Sequence, residues 1–110
     1  MHPLIWRASA NALVKINLPG LGLGIRPNMR FSEGNIDVAP GDRLLFFTDG
    51  ITEQKNSERE MYGVERLESV YTELCRAGSG QIVQDIFRDI ENFKGKVEFQ
   101  DDITLFLLEF

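Results

Sequence analysis

The stretch PGDRLLFFTDGITE, residues 40–53, runs four large apolar residues, Leu44, Leu45, Phe46 and Phe47, straight into Thr48, the carboxylate of Asp49 and Gly50. Pro40, Gly41 and Asp42 make a tight turn that launches a strand over 43–48. On an extended backbone Leu45, Phe47 and Asp49 share one face. A second stretch, DDITLFLL at 101–108, reverses the order and places two acids at the mouth of another apolar run. There Asp101, Ile103, Leu105 and Leu107 share a face. The two stretches read as neighbouring strands of one sheet whose acids belong to one site.

Each acid then sits at a sheet edge on an otherwise apolar face. Desolvating a lone carboxylate costs several kcal/mol, so these groups are water-exposed, paired or bound to a metal. Asp49, Asp101 and Asp102 with no lysine nearby favour the metal. Ligands that are all oxygen select a hard ion, Mg²⁺, Mn²⁺ or Ca²⁺, over Zn²⁺. Taken singly, each stretch also reads as an ordinary surface feature: Thr-Asp-Gly as a turn with glycine at positive φ, Asp-Asp as a solvated loop.

Toward the N-terminus, short apolar runs at 4–7 and 12–16 flank the polar residues 9–11 and predict a hairpin. The run PGLGLG at 19–24 has three glycines at alternate positions, a loop that needs close backbone approach or positive φ. Residues 29–31 and 35–38 are short strand candidates. Hairpin-length connections favour an antiparallel sheet. Past Gly63 the period changes. Val64, Leu67, Val70, Tyr71, Leu74 and Cys75 follow the spacing of an amphipathic helix over 64–76, which Gly78 ends. Ser79 is the expected N-cap of a second helix over 79–92, with Ile82, Val83, Ile86, Phe87 and Ile90 on its stripe. Residues 97–99 and 103–110 return to strand. The fold class is α+β, an antiparallel sheet with a flanking antiparallel helix pair.

At 110 residues the chain is one domain, and 43% hydrophobic residues suffice for an ordinary core. No apolar run approaches the roughly 20 residues that span a bilayer, and the start MHPLIWR lacks a signal peptide's apolar region, so no membrane association and a cytoplasmic location are expected. Cys75 is the only cysteine and reads as a small buried hydrophobe. A net charge of −5 with dispersed acids excludes a nucleic-acid backbone as partner and suits a site for divalent cations. His2, the only histidine, reads as a solvated terminal residue, and 53–60, EQKNSERE, as a solvated connection.

Three ordered segments, PGDRLLFFTDGITE at 40–53, MYGVERL at 61–67 and DDITL at 101–105, resemble the PPM family of metal-dependent serine/threonine phosphatases. The likeness is to its bacterial branch named after sporulation stage II protein E, the RsbU-like branch. His2-Pro3-Leu4 is similar to the family's Gly-His-Pro segment, and 20–25 to its Gly-x-Pro-Leu-Gly loop with Gly22 in place of the proline. The resemblance implies that Asp49 and Asp101 are metal ligands, that Gly50 lets the backbone approach the site, and that Asp102 and Thr104 support it. It implies two Mn²⁺ or Mg²⁺ ions in the complete domain, and a phosphorylated regulatory protein, such as an anti-sigma-factor antagonist, as substrate. The family fold is a β-sandwich flanked by helix pairs, of which these strands and one helix pair make half.

The family's N-terminal aspartate and its Gly-Asp-x-x-Gly-His-Gly-like segment have no counterpart here, so residues 1–110 are expected to be the C-terminal part of such a domain. An uncovered sheet face favours a homodimer. Two rivals stand beside this reading. Haloacid-dehalogenase-type phosphatases also end a strand in Asp-Gly-x-Thr, but Phe47 occupies their nucleophile position. A non-catalytic, protein-binding half-domain with at most a weak cation site is the stronger alternative, and metal-dependent phosphoester hydrolysis separates it from the enzyme.

Overall fold

A computed structural model of the chain describes residues 2–15 and 37–110. Four strands form one antiparallel sheet: β1 (His2–Arg7), β2 (Ala12–Lys15), β3 (Arg43–Phe47) and β4 (Leu105–Glu109), in the order β2-β1-β3-β4. The helices are α1 (Asp49–Thr52), α2 (Val64–Arg76) and α3 (Ile82–Lys94). The α+β class expected from the pattern is the one the chain adopts.

The strand that opened the sequence reading is central. β3 pairs with β1 through Leu4↔Leu45 and with β4 through Leu45↔Leu107. Side chains alternate across the sheet. Leu4, Trp6, Leu45 and Phe47 face the helices and join Leu67, Tyr71, Ile82, Ile86 and Ile90 in the core, with Leu105 and Leu107 half-buried against it. The opposite face carries Ile5, Leu44, Phe46, Phe106 and Leu108, where the directly paired Phe46 and Phe106 stack with ring centroids 4.8 Å apart.

Asp42 fastens the hairpin to the start of β3. Its buried carboxylate accepts hydrogen bonds from the backbone N–H groups of Ala39 and Ala8, both at 2.9 Å, and from Arg7 Nη1 at 3.0 Å. Those bonds favour the ionised form and hold the carboxyl below its ordinary value, the Ala39 amide contributing most. Gly41, at φ 93°, takes the left-handed conformation the turn demands.

Both helices bury one stripe, Leu67, Tyr71 and Cys75 from α2 and Ile82, Ile86 and Ile90 from α3. The Tyr71 hydroxyl donates to the Arg43 carbonyl at 2.9 Å, joining α2 to β3. The boundaries of α2 are those read from the period. α3 begins three residues later than expected: the residue before it is Gln81, not Ser79. The Ser79 hydroxyl instead accepts from the Gln81 N–H at 3.1 Å and donates to Asp85 at 3.0 Å, bracing the first turn from outside it.

Residues 97–99 are not a strand. Their carbonyls are taken by side chains, Val97 by Lys94 Nζ and Glu98 by Gln54 Nε2, so no ladder forms. β4 starts at Leu105, not at 103. The glycine loop at 19–24 and the candidate at 29–31 lie outside the described residues, as does most of 35–38, whose described residues 37 and 38 are not strand. Among the described residues no helix is long and apolar enough to cross a membrane.

Candidate functional site

The site lies where β3 ends. Thr48 is still extended, and its N–H donates to the Thr104 carbonyl at 3.1 Å while its hydroxyl oxygen accepts from the Thr104 N–H at 3.0 Å. This pair prolongs the β3–β4 register one step past the ladder and fixes the lead-in to β4 against the end of β3. The chain then turns at once into α1, whose first residue is Asp49.

Gly50 is in the helical turn, not at the positive φ of the turn reading. Its glycine has a different cause. A Cβ there would come within 2.4 Å of the Asp102 carbonyl oxygen and 3.3 Å of Asp101 Cβ. Real Cβ atoms do not approach a carbonyl so closely, so the absent side chain lets the 101–102 peptide lie directly on α1. Asp101 is thereby set beside the turn that Asp49 begins.

Each expected site residue has its place. Asp49 is 65% exposed at its side chain, and its Oδ1 lies 2.5 Å from His2 Nε2. Asp101, Asp102 and Thr104 are exposed. Asp102 meets Gly50 through its carbonyl, and Thr104 meets Thr48 through its backbone. Two hollows flank α1. One, of about 320 Å³, is lined by Asp49, His2, Phe47 and Val64. The other, of about 260 Å³, is lined by Gly50, Asp101, Glu53 and Gln54. Asp49 and Asp101 therefore open to solvent on adjoining sides of one turn.

His2 is the neighbour of Asp49 that the pattern missed. It pairs with Phe47 in the β1–β3 register and its ring lies 5.4 Å from the Phe47 ring, so strand pairing carries the first residues of the chain to the site. The likeness of His2-Pro3-Leu4 to Gly-His-Pro was the one signal that pointed there. The 53–60 connection is also more ordered than a solvated loop. Lys55 and Met61 form a β-bridge, and Asn56 Oδ1 accepts from the N–H groups of Glu58 and Glu60.

The donor set fits a hard divalent cation in kind: two exposed carboxylates, carbonyl oxygens and no thiolate. It falls short in number. Among the described residues no group of three or more His, Cys, Asp or Glu is gathered so as to hold a metal ion.

The model of the family described as stage II sporulation protein E (SpoIIE) matches residues 1–110. Protein IcfG of Synechocystis sp. is 29% identical over 93 residues, which make up 83% of this chain and 14% of that protein. Among solved structures, the SiaA-PP2C domain of Pseudomonas aeruginosa superposes with a TM-score of 0.61 at 21% identity, a likeness of fold that covers 68% of this chain and 31% of that one. The chain thus spans less than a third of the length of either relative.

Proposed function

The chain belongs to the stage II sporulation protein E family of PPM-type phosphatase domains, and on that premise we propose that it forms the C-terminal part of a domain that hydrolyses phosphoserine or phosphothreonine on a regulatory protein. The observation that carries this reading is the seat of Gly50 on the Asp102 carbonyl, which brings Asp101 beside the turn begun by Asp49. In the complete domain Asp49 and Asp101 would hold Mn²⁺ or Mg²⁺, with further ligands supplied from outside residues 1–110. Such ions, when bound, activate water as a nucleophile and neutralise phosphoryl charge.

The chain's own residues supply the frame. β3 and β4 hold the two carboxylate segments in register, Thr48 locks that register, and His2 orients the Asp49 carboxylate. Asp102 and Thr104 act through their backbones. The substrate class is a phosphorylated signalling protein such as an anti-sigma-factor antagonist, met in the cytoplasm. The chain associates with a second copy through the helix-free face of its sheet.

The small number of gathered carboxylates favours one alternative, a non-catalytic half-domain that binds protein and keeps at most a weak cation site. Calorimetric titration with Mn²⁺ tests the metal reading. Binding weakened by Asp49→Asn and by Asp101→Asn supports it, and binding indifferent to both places any metal elsewhere. Mn²⁺-dependent phosphoserine hydrolysis by the chain in its full-length protein, lost on either substitution, decides between enzyme and binding module.

A further inference from the structure

Gln54 is one of two buried polar or charged side chains among the described residues, at 1% exposure, and no strand, helix or turn rule requires a carboxamide there. Its backbone is fixed at both ends: its N–H donates to the Ile51 carbonyl at 3.3 Å, and its own carbonyl accepts from the Tyr62 N–H at 2.8 Å. The side chain is thus anchored at the exit of α1. From that anchor Nε2 donates to the Lys55 carbonyl at 3.0 Å and, across 44 residues of chain, to the Glu98 carbonyl at 3.1 Å. Oε1 accepts from the Gln100 N–H at 3.4 Å, a longer contact.

Every long-range bond of this carboxamide therefore goes to the segment immediately before Asp101. That segment has no ladder of its own; it is held by these bonds, by the Gly50 seat and by Phe99, whose ring stacks on Phe87 at 5.7 Å between centroids. A buried amide must satisfy both its donors and its acceptor or it costs stability, which makes the arrangement geometrically demanding. The same residue also lines the hollow onto which Asp101 opens.

We infer that Gln54 is a positioning residue for the metal site: it latches 98–100 to the end of α1 and so sets Asp101 at its working distance from Asp49. The inference rests on the metal-site reading for its consequence, and on geometry alone for the latch. The two carboxylate segments are far apart in sequence, and Gln54 is the side chain that measures one against the other.

The test uses the full chain with Gln54→Met, which keeps length and apolar packing but makes none of the three bonds. Amide hydrogen exchange read by NMR reports the latch without any metal. Exchange at Gln100 is expected to rise about tenfold in the variant, the scale of a lost hydrogen bond, while the α3 core amides stay protected. Unchanged exchange at that amide overturns the latch.

Mn²⁺ titration then reports the consequence. Gln54→Met is expected to weaken Mn²⁺ binding about five- to tenfold on its own and on the Asp49→Asn background, but to add little on the Asp101→Asn background, because it acts through Asp101. Equal effects on both backgrounds mark a general loss of stability and overturn the positioning role. Wild-type Mn²⁺ affinity in a variant whose 98–102 segment has loosened overturns it too. If Asp101→Asn itself leaves Mn²⁺ binding unchanged, the metal reading falls and takes the positioning role with it, whereas exchange at Gln100 still decides the latch.

Discussion

A methyl group added at Gly50 would stand 2.4 Å from the Asp102 carbonyl oxygen, a backbone atom that cannot swing aside. Gly50→Ala is therefore expected to cost about 1–3 kcal/mol by overpacking and to weaken Mn²⁺ binding as the Asp101 segment is pushed off α1. Gly80→Ala, at a position with nothing within 4 Å, is the control that should leave both urea midpoint and Mn²⁺ affinity unchanged. Asp42 yields a second residue-scale expectation. Its folded pKa lies below the ordinary 3.8, so its ionisation contributes stability that is complete above 3.8 and is lost as pH falls through the lower folded value. Urea midpoints followed down that window should drop steeply in the wild type and less so in Asp42→Asn, which lacks the titrating group. At this scale the meeting of the Asp49 and Asp101 segments was legible, because each acid flanks an apolar run and the two runs pair as neighbouring strands. His2 and Gln54 were not. Their partners lie 47 and 44 residues away, and only strand register and chain closure bring them together.

Helix α3 lies on the sheet through three isoleucines at a spacing of four, and Ile86, the middle one, is fully buried. Ile86→Ala should cost about 2–5 kcal/mol, whereas Phe87→Ala on the next position, 38% exposed, should cost far less despite the larger group removed. Equilibrium unfolding in urea measures both, and a larger loss at Phe87 would mean that the helix is rotated on the sheet. The same periodic signal explains what the sequence disclosed about the elements. α2 was legible to its ends because Gly63, at φ 83°, and Gly78, at φ 69°, bracket a stripe of unbroken helical period. The 97–99 strand was misread for a physical reason. Val97-Glu98-Phe99 alternates as a strand does, but alternation carries no information on where the carbonyls go, and here side chains claim them. Ser79 misled in the same way, since a serine that braces a helix start from three residues before it looks in sequence like the cap itself.

On the scale of the whole molecule, α2 and α3 cover one face of the sheet, and among the described residues no helix covers the other. On the helix-free face and its continuation Val14 is 41% exposed, Phe106 38%, Leu108 45% and Phe110 47%. Phe46, half-buried, stacks on Phe106, and the exposed residues make an apolar patch of the kind that marks an interaction site, while Ile5 and Leu44 on the same face are buried. Among the described residues β4 is also the last strand of the sheet, and its first four positions carry no charge, an apolar edge suited to strand pairing. Light scattering should therefore show the average mass rising toward that of a dimer with concentration, and Phe106→Lys with Leu108→Lys should abolish the rise. Catalysis depends on the number of fixed ligands. A two-metal site holds its ions about 3.5–4 Å apart, which requires several fixed ligands, whereas among the described residues no group of three or more His, Cys, Asp or Glu is gathered to hold a metal ion. The chain by itself should hydrolyse p-nitrophenyl phosphate with Mn²⁺ barely above the metal blank, and the same segment in its full-length protein should do so readily. A second copy does not remedy this, because pairing through the sheet face opposite the helices duplicates the same carboxylates without adding ligands of another kind. Brisk Mn²⁺-dependent turnover by a monomeric chain, abolished in Asp49→Asn, would show that ligands beyond Asp49 and Asp101 are already present within residues 1–110.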